Sequence, residues 1–276
     1  MNLDLIARII QDMKKLLLCI LTFVLTSTNY AQVIPVDQNR SSFFISSIPT
    51  QTLYWQGANS KALIVFIPGG DGNLGLKPDT TDRKYSFYQT LKSLTNPDLT
   101  SGKFDLVLLD FPFPMRDVVA RGTDDHLVRV ESVIQYYHAK TGLPVWIMGH
   151  SNGGISLTNF IQYLQKNNKT DEIAGVIASA LRNGSNFNAP VDFPILFLHH
   201  EKDACLNTTS AYSLRLYEKV KEFTKLDIQY TWIKNGESES NDPCRSGFHM
   251  YYNSGTEASK VIDEFITRNL NYARPN

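Results

Sequence analysis

A serine set among small residues is the first point in this sequence where chemistry is suggested. Gly149-His150-Ser151-Asn152-Gly153 has the spacing G-x-S-x-G, and Gly154 adds a further small residue. The motif directly follows the apolar run 144–149 (PVWIMG) and directly precedes a helical pattern. A serine at such a strand-to-helix turn is presented above the sheet, and flanking glycines let strand and helix approach without clash. The helix N-terminus also favours negative charge developing nearby. A serine hydroxyl is a poor nucleophile at neutral pH. It needs a base, and the base needs an orienting carboxylate. After Ser151 the available imidazoles are His199, His200 and His249. Asp203 stands just past the apolar run 194–199 (PILFLH), where an open parallel sheet holds its ligand-facing groups. Glu201 and Asp242 are its rivals.

The elements that must position these residues are legible as alternating patterns. Continuous apolar runs at 62–67 (ALIVFI), 104–111 (FDLVLLDF), 144–149, 173–178, 194–199 and 228–233 suit strands buried on both faces of a parallel sheet. Between them, 123–140 places Leu127, Val130, Ile134 and Tyr137 at helical spacing, and Thr141-Gly142 ends that helix. Helices are also expected over 155–165, 211–223 and 257–270. The stretch 42–55 is β-rich and suits edge strands or a hairpin, whereas 111–125 and 235–247 are irregular. Alternating strands and helices argue for βαβ units, with helices on both faces of a mostly parallel sheet. Between the fourth and fifth runs, 181–193 is too short for a folded cap domain, so the site is expected to be open.

Placed after PVWIM, GHSNGG resembles the nucleophile elbow of the α/β-hydrolase superfamily. The resemblance implies that fold, serine hydrolase activity without a cofactor, and the chain order nucleophile, acid, histidine. On that order Ser151 is the nucleophile, Asp203 the acid and His249 the base, since no other histidine follows Asp203. His199 and His200 are left to the strand end and its packing. With Asp203 they suggest a metal cluster, but no further ligand follows at convincing spacing. A tetrahedral intermediate also needs two backbone N–H donors. One is expected from Asn152. The other is expected from the loop Pro68-Gly69-Gly70-Asp71-Gly72, which is similar to the family's HGGG-type loops without the histidine. Gly70 is the favoured donor, with Gly69 and Asp71 as close alternatives. A phosphate-cradle reading of this loop fails because no G-K-[ST] follows.

The chain has 276 residues, which suits one large α/β domain over 32–276. Lysine plus arginine equals aspartate plus glutamate at 27 each, so nothing draws the chain to nucleic acid or an anionic membrane. Residues 1–31 read as a secretory signal peptide: Lys14 and Lys15, an apolar run from Leu16 to Leu25, then small and polar residues ending at Ala31. Acids precede those lysines, which makes Met13 the expected true start. The apolar run is shorter than the roughly 20 residues that span a bilayer. A secreted or periplasmic protein, not stably membrane-associated after cleavage, is the expectation. Cys205 and Cys244 then remain, and two cysteines in an exported chain are expected to pair. Some secreted α/β-hydrolases, polyester-degrading ones included, carry similar bridges. In the chain-entropy model, closing such a 39-residue loop is worth about 4 kcal/mol.

For substrate, the loops at the same sheet edge offer Asp71, Asn73, Phe113, Met115, Arg116, Met250 and Tyr251. Their aromatic and thioether content points to an apolar or aromatic acyl group. A small-molecule or polymeric ester is the expected partner, with a peptidase and a non-catalytic binding protein as rivals.

Overall fold

The computed structural model describes residues 31–39, 46–76, 100–188, 190–238, 240–245 and 247–270. The signal-peptide reading of 1–31 lies outside the described residues, apart from Ala31. Among the described residues no helix is long and apolar enough to cross a membrane.

Among the described residues eight strands form one sheet: β1 Gln32–Val36, β2 Thr50–Trp55, β3 Ala62–Ile67, β4 Phe104–Asp110, β5 Val145–His150, β6 Gly175–Ser179, β7 Ile195–His200 and β8 Ile228–Ile233. Their order is β1-β2-β4-β3-β5-β6-β7-β8. From β4 to β8 every pairing is parallel, while β1–β2 and β2–β4 are antiparallel. The six apolar runs of the sequence are β3 to β8, displaced by at most a residue or two at their ends. Among the described residues of the expected edge strands or hairpin over 42–55, the strand is β2, and 42–45 lie outside the described residues. Its partner β1 lies earlier, in a short stretch, Val33 to Val36, that Pro35 interrupts as a strand signal.

The described α-helices are α1 Asp124–Thr141, α2 Gly153–Lys166, α3 Ser210–Phe223 and α4 Gly255–Asn269. Thr123 caps α1 by accepting from the His126 N–H, and Gly142 closes it in the left-handed conformation, φ 68°.

Strand side chains alternate between two apolar layers. Leu63, Val65 and Ile67 of β3 join the layer that packs on α1, α2 and α3 through Val130, Ile134, Leu157, Phe160, Leu216 and Val220. Ala62, Ile64 and Phe66 join the opposite layer, where α4 supplies Ala258, Ile262, Phe265 and Ile266. Helices therefore cover both faces, and the continuous apolar strands are what that burial requires. β5 sits near the middle of the sheet, so its C-terminal end is flanked by the loops that follow β3 and β6.

Candidate active site

The turn after β5 carries Ser151 in a conformation that an L-residue seldom adopts, φ 54°. Such a residue costs about 1–3 kcal/mol and persists only where its surroundings hold it. Here the Ser151 N–H donates to Ser179 O at 3.1 Å, and Ser151 O accepts from Gly154 N at 2.9 Å and Arg182 N at 3.2 Å. α2 begins two residues later and runs directly beneath the loop after β3. A Cβ on Gly153 would lie 2.1 Å from Ile67 O, so only glycine fits there. Ser151 Oγ takes no hydrogen-bond partner among the described residues.

Asp203 stands three residues beyond β7, and its side chain is fully buried. Its Oδ1 accepts from the Cys205 N–H at 2.9 Å. Its Oδ2 lies 2.8 Å from His249 Nδ1, 3.4 Å from Thr208 Oγ1 and 3.3 Å from His199 Nε2. Burial pushes this carboxyl upward. The contacts from His199 and His249, the His249 charge and the Cys205 N–H outweigh burial and hold it well below the usual carboxylate range. An ionised carboxylate only accepts, so His249 Nδ1 carries a proton directed at Asp203.

His249 is 2% exposed, and its ring centroid lies 4.9 Å from that of His150, the residue before Ser151. His150 Nδ1 is 3.0 Å from Ser179 Oγ, which is 3.1 Å from Tyr251 Oη, and Tyr251 donates to Leu198 O at 3.1 Å. The carbonyl at the end fixes the direction of this chain: Ser179 donates to Tyr251, and His150 donates to Ser179. Burial, then the neighbouring His249, keeps the His150 imidazole well below its ordinary pKa, and it is neutral. The chain-order reading therefore brings Asp203 and His249 into contact and sets both beside the Ser151 turn.

The Cys205–Cys244 disulfide is formed, and it links the acid loop to the segment that leads into His249. Thr209 N and Oγ1 both donate to Asn183 Oδ1 at 3.1 Å, which joins the acid loop to the loop after β6.

The loop after β3 turns at Gly70, φ 56°, closed by Gly72 N–H donating to Gly69 O at 3.1 Å. Ideal Cβ placement on Gly69 comes 2.9 Å from Ser151 Cβ, so this backbone runs beside the serine. The N–H groups of Gly69, Gly70, Asp71 and Asn152 have no acceptor among the described residues. All three candidates for the second donor thus remain available.

The residues singled out for substrate contact separate into two groups. Asp71 and Arg116 pair at the surface, 3.0 Å between Oδ2 and Nη2. Phe113 is 46% exposed. Met250 is only partly buried, against the α4-side layer. Met115 and Tyr251 are instead buried in the two apolar layers, and Asn73 Nδ2 is bound to Phe111 O at 2.6 Å. Met115 and Tyr251 thus serve the core, while Asn73 stays exposed with its amide holding the loop. His200 faces away from any cluster with Asp203, with Nε2 donating to Asn235 O at 2.9 Å and Nδ1 accepting from Lys202 N at 3.0 Å.

Three participants were not legible in the sequence. Thr208 carries no motif. His199 reads as a strand end, yet its Nε2 reaches Asp203. Arg121 lies in the irregular span 111–125, where nothing marks it for complete burial.

No family model matches the chain, and no curated protein does. Solved structures do. A dienelactone hydrolase from Anabaena variabilis superposes with a TM-score of 0.58 at 12% identity, covering 86% of this chain and 97% of that one. A Xanthomonas campestris α/β serine hydrolase without a lid gives 0.58 at 11%, covering 91% and 99%. The chain has the α/β-hydrolase fold. Brefeldin A esterase, a bacterial homologue of human hormone-sensitive lipase, gives 0.59 at 13%, covering 88% and 78%. The Pyrococcus horikoshii acylaminoacyl peptidase gives 0.57 at 14%, covering 92% of this chain and 44% of that longer one.

Proposed function

We propose that the protein is an exported serine hydrolase that cleaves an ester-type bond through an acyl-enzyme. The observation that carries this reading is the 2.8 Å bond from His249 Nδ1 to buried Asp203, one ring away from the strained Ser151 turn. A histidine held by a carboxylate at one nitrogen offers the other as a base.

In the proposed sequence, Ser151 Oγ attacks the substrate carbonyl and its proton passes to His249 Nε2. Asp203 stabilises the imidazolium without taking the proton. The Asn152 N–H and one N–H of the Gly69–Asp71 backbone, Gly70 in the favoured assignment, hold the oxyanion. His249 then protonates the leaving alcohol, the acyl group remains on Ser151, and water activated by the same histidine releases the acid. The Ser151–His249 hydrogen bond forms as substrate seats, since such bonds are commonly long in the free enzyme.

Esterases and a dienelactone hydrolase among the structural neighbours support ester chemistry, and the exposed Phe113 and half-buried Met250 support an apolar acyl group. The leader pattern and the disulfide support export to the periplasm or beyond. A hydrolysis screen tests the reading: p-nitrophenyl esters of graded acyl length alongside aminoacyl amides, with Ser151→Ala as control. Ester turnover that is abolished in Ser151→Ala is expected. Preferential amide cleavage would make the protein a peptidase. Wild-type protein inert to both series would leave a binding protein on a hydrolase scaffold.

A further inference from the structure

Arg121 is 0% exposed, and no carboxylate lies within ion-pairing distance of it among the described residues. Burying an unpaired cation is costly, so its hydrogen bonds have to compensate. They go to backbone oxygens and one hydroxyl: Nε to Met115 O at 3.0 Å, Nη1 to Pro68 O at 3.4 Å and Ser156 Oγ at 2.9 Å, and Nη2 to Gly70 O at 2.8 Å. Gly70 O also accepts from Asn152 Nδ2 at 2.9 Å. Burial lowers the guanidinium to about 10 against the favourable charge of Asp71, which lies beyond ion-pairing distance, and it stays cationic at neutral pH.

The consequence follows from the planarity of the peptide. Every carbonyl from Pro68 to Gly72 is tied: Pro68 and Gly70 to Arg121, Gly69 to Gly72 N–H, Asp71 to Met115 N–H at 2.7 Å and Gly72 to Phe111 N–H at 3.0 Å. In a trans peptide the N–H points opposite its carbonyl. Tying the carbonyls of Pro68 and Gly70 to Arg121 therefore aims the N–H groups of Gly69 and Asp71 away from it. Tying the Gly69 carbonyl into the turn aims the Gly70 N–H outward. These are the three N–H groups without an acceptor, on the backbone that runs beside Ser151.

We propose that Arg121, together with the side chain of Asn152, is the positioning device that preorganises the oxyanion-binding loop. The inference rests on the serine hydrolase reading and adds to it a cationic clamp that touches no substrate. Ser156 sits on α2 and Arg121 between β4 and α1, so the clamp also registers the loop against the helix that carries the nucleophile turn.

The test compares kcat and KM on p-nitrophenyl butyrate, and Ki for phenylboronic acid, in wild type, Asn152→Ala and Arg121→Lys. The boronate forms a tetrahedral anion on serine and reads oxyanion stabilisation directly. Complete loss of one oxyanion donor costs about 10²–10³ in kcat, so a loosened donor in Asn152→Ala is expected to cost about tenfold, with KM within about twofold and Ki raised about tenfold. Arg121→Lys keeps the charge but cannot span the carbonyls, and a larger loss with the same split is expected. Wild-type kcat and Ki in both folded variants would overturn the clamp. A merely structural brace would lower the folded fraction but leave kcat per active site and Ki unchanged, and that also overturns it. If Arg121→Lys does not fold, Asn152→Ala decides alone, because its half-exposed side chain serves no core. Wild-type protein that neither hydrolyses the ester nor binds the boronate rejects the hydrolase reading, and the clamp with it. An active wild type with unaffected variants rejects the clamp only.

Discussion

Asp203 combines the largest number of roles in one side chain. Its carboxylate orients His249, accepts from the Cys205 N–H and lies near His199 and Thr208. Asp203→Asn keeps the shape but offers the imidazole an ambiguous partner, and a fall in kcat of about 10³–10⁴ is expected in steady-state assays. The same carboxylate gives the fold an acid-sensitive term. Its native pKa is depressed, so its contribution is complete above the unfolded value near 4 and is lost as pH falls further. Urea denaturation at pH 7 and pH 3 should show wild type losing more stability on acidification than Asp203→Asn. His126 gives a second acid response: it is buried against Phe111 with no partner at either ring nitrogen among the described residues. Burial, then the charges of Arg121 and Arg129, lowers its imidazole to about 3. The unfolded chain takes up a proton near 6.5 while the native chain does not, so stability falls as pH drops from about 6.5 toward 3. His126→Leu is expected to flatten the stability–pH curve across that window. An unchanged curve would remove this residue from the acid response.

At the scale of elements, the turn between β5 and α2 is the joint on which the site depends. A Cβ at Gly153 meets the backbone at Ile67 O and Pro68 O, and neither can yield without moving β3. Gly153→Ala is therefore expected to destabilise by about 3 kcal/mol or more, read by chemical denaturation or as insoluble expression. The disulfide is the second joint. Replacing Cys205 and Cys244 by serine should cost about 2–5 kcal/mol and lower activity below the new Tm, because the acid and histidine loops lose their tether. Much of this was readable beforehand. The elbow was legible because strand, glycine-flanked serine and helix are contiguous, and α1 because its apolar residues recur at helical spacing. β1 was not, because its run of four apolar residues is short and holds Pro35, which argues against a strand except at a sheet edge. Arg121 was not, because arginine is ordinarily exposed and the carbonyls that hold it lie as far as 53 residues away in sequence.

For the molecule as a whole, the sheet gathers three distant segments at one edge. β5 delivers Ser151, the loop after β7 delivers Asp203, and the segment before α4 delivers His249. Alternating patterns were enough to give the architecture, since a parallel sheet covered on both faces leaves little choice of composition in its strands. Strand order and the inward turn of His249 depend on long-range packing and became visible only in three dimensions. The claim that this edge is a nucleophilic site is tested most directly by intact-mass spectrometry after treatment with a fluorophosphonate. Folded wild type is expected to gain one phosphonyl adduct, mapped to Ser151 and slowed at least about a hundredfold in His249→Ala, while Ser151→Ala gains none. Folded wild type that stays unmodified, or an adduct that persists in Ser151→Ala, would contradict it.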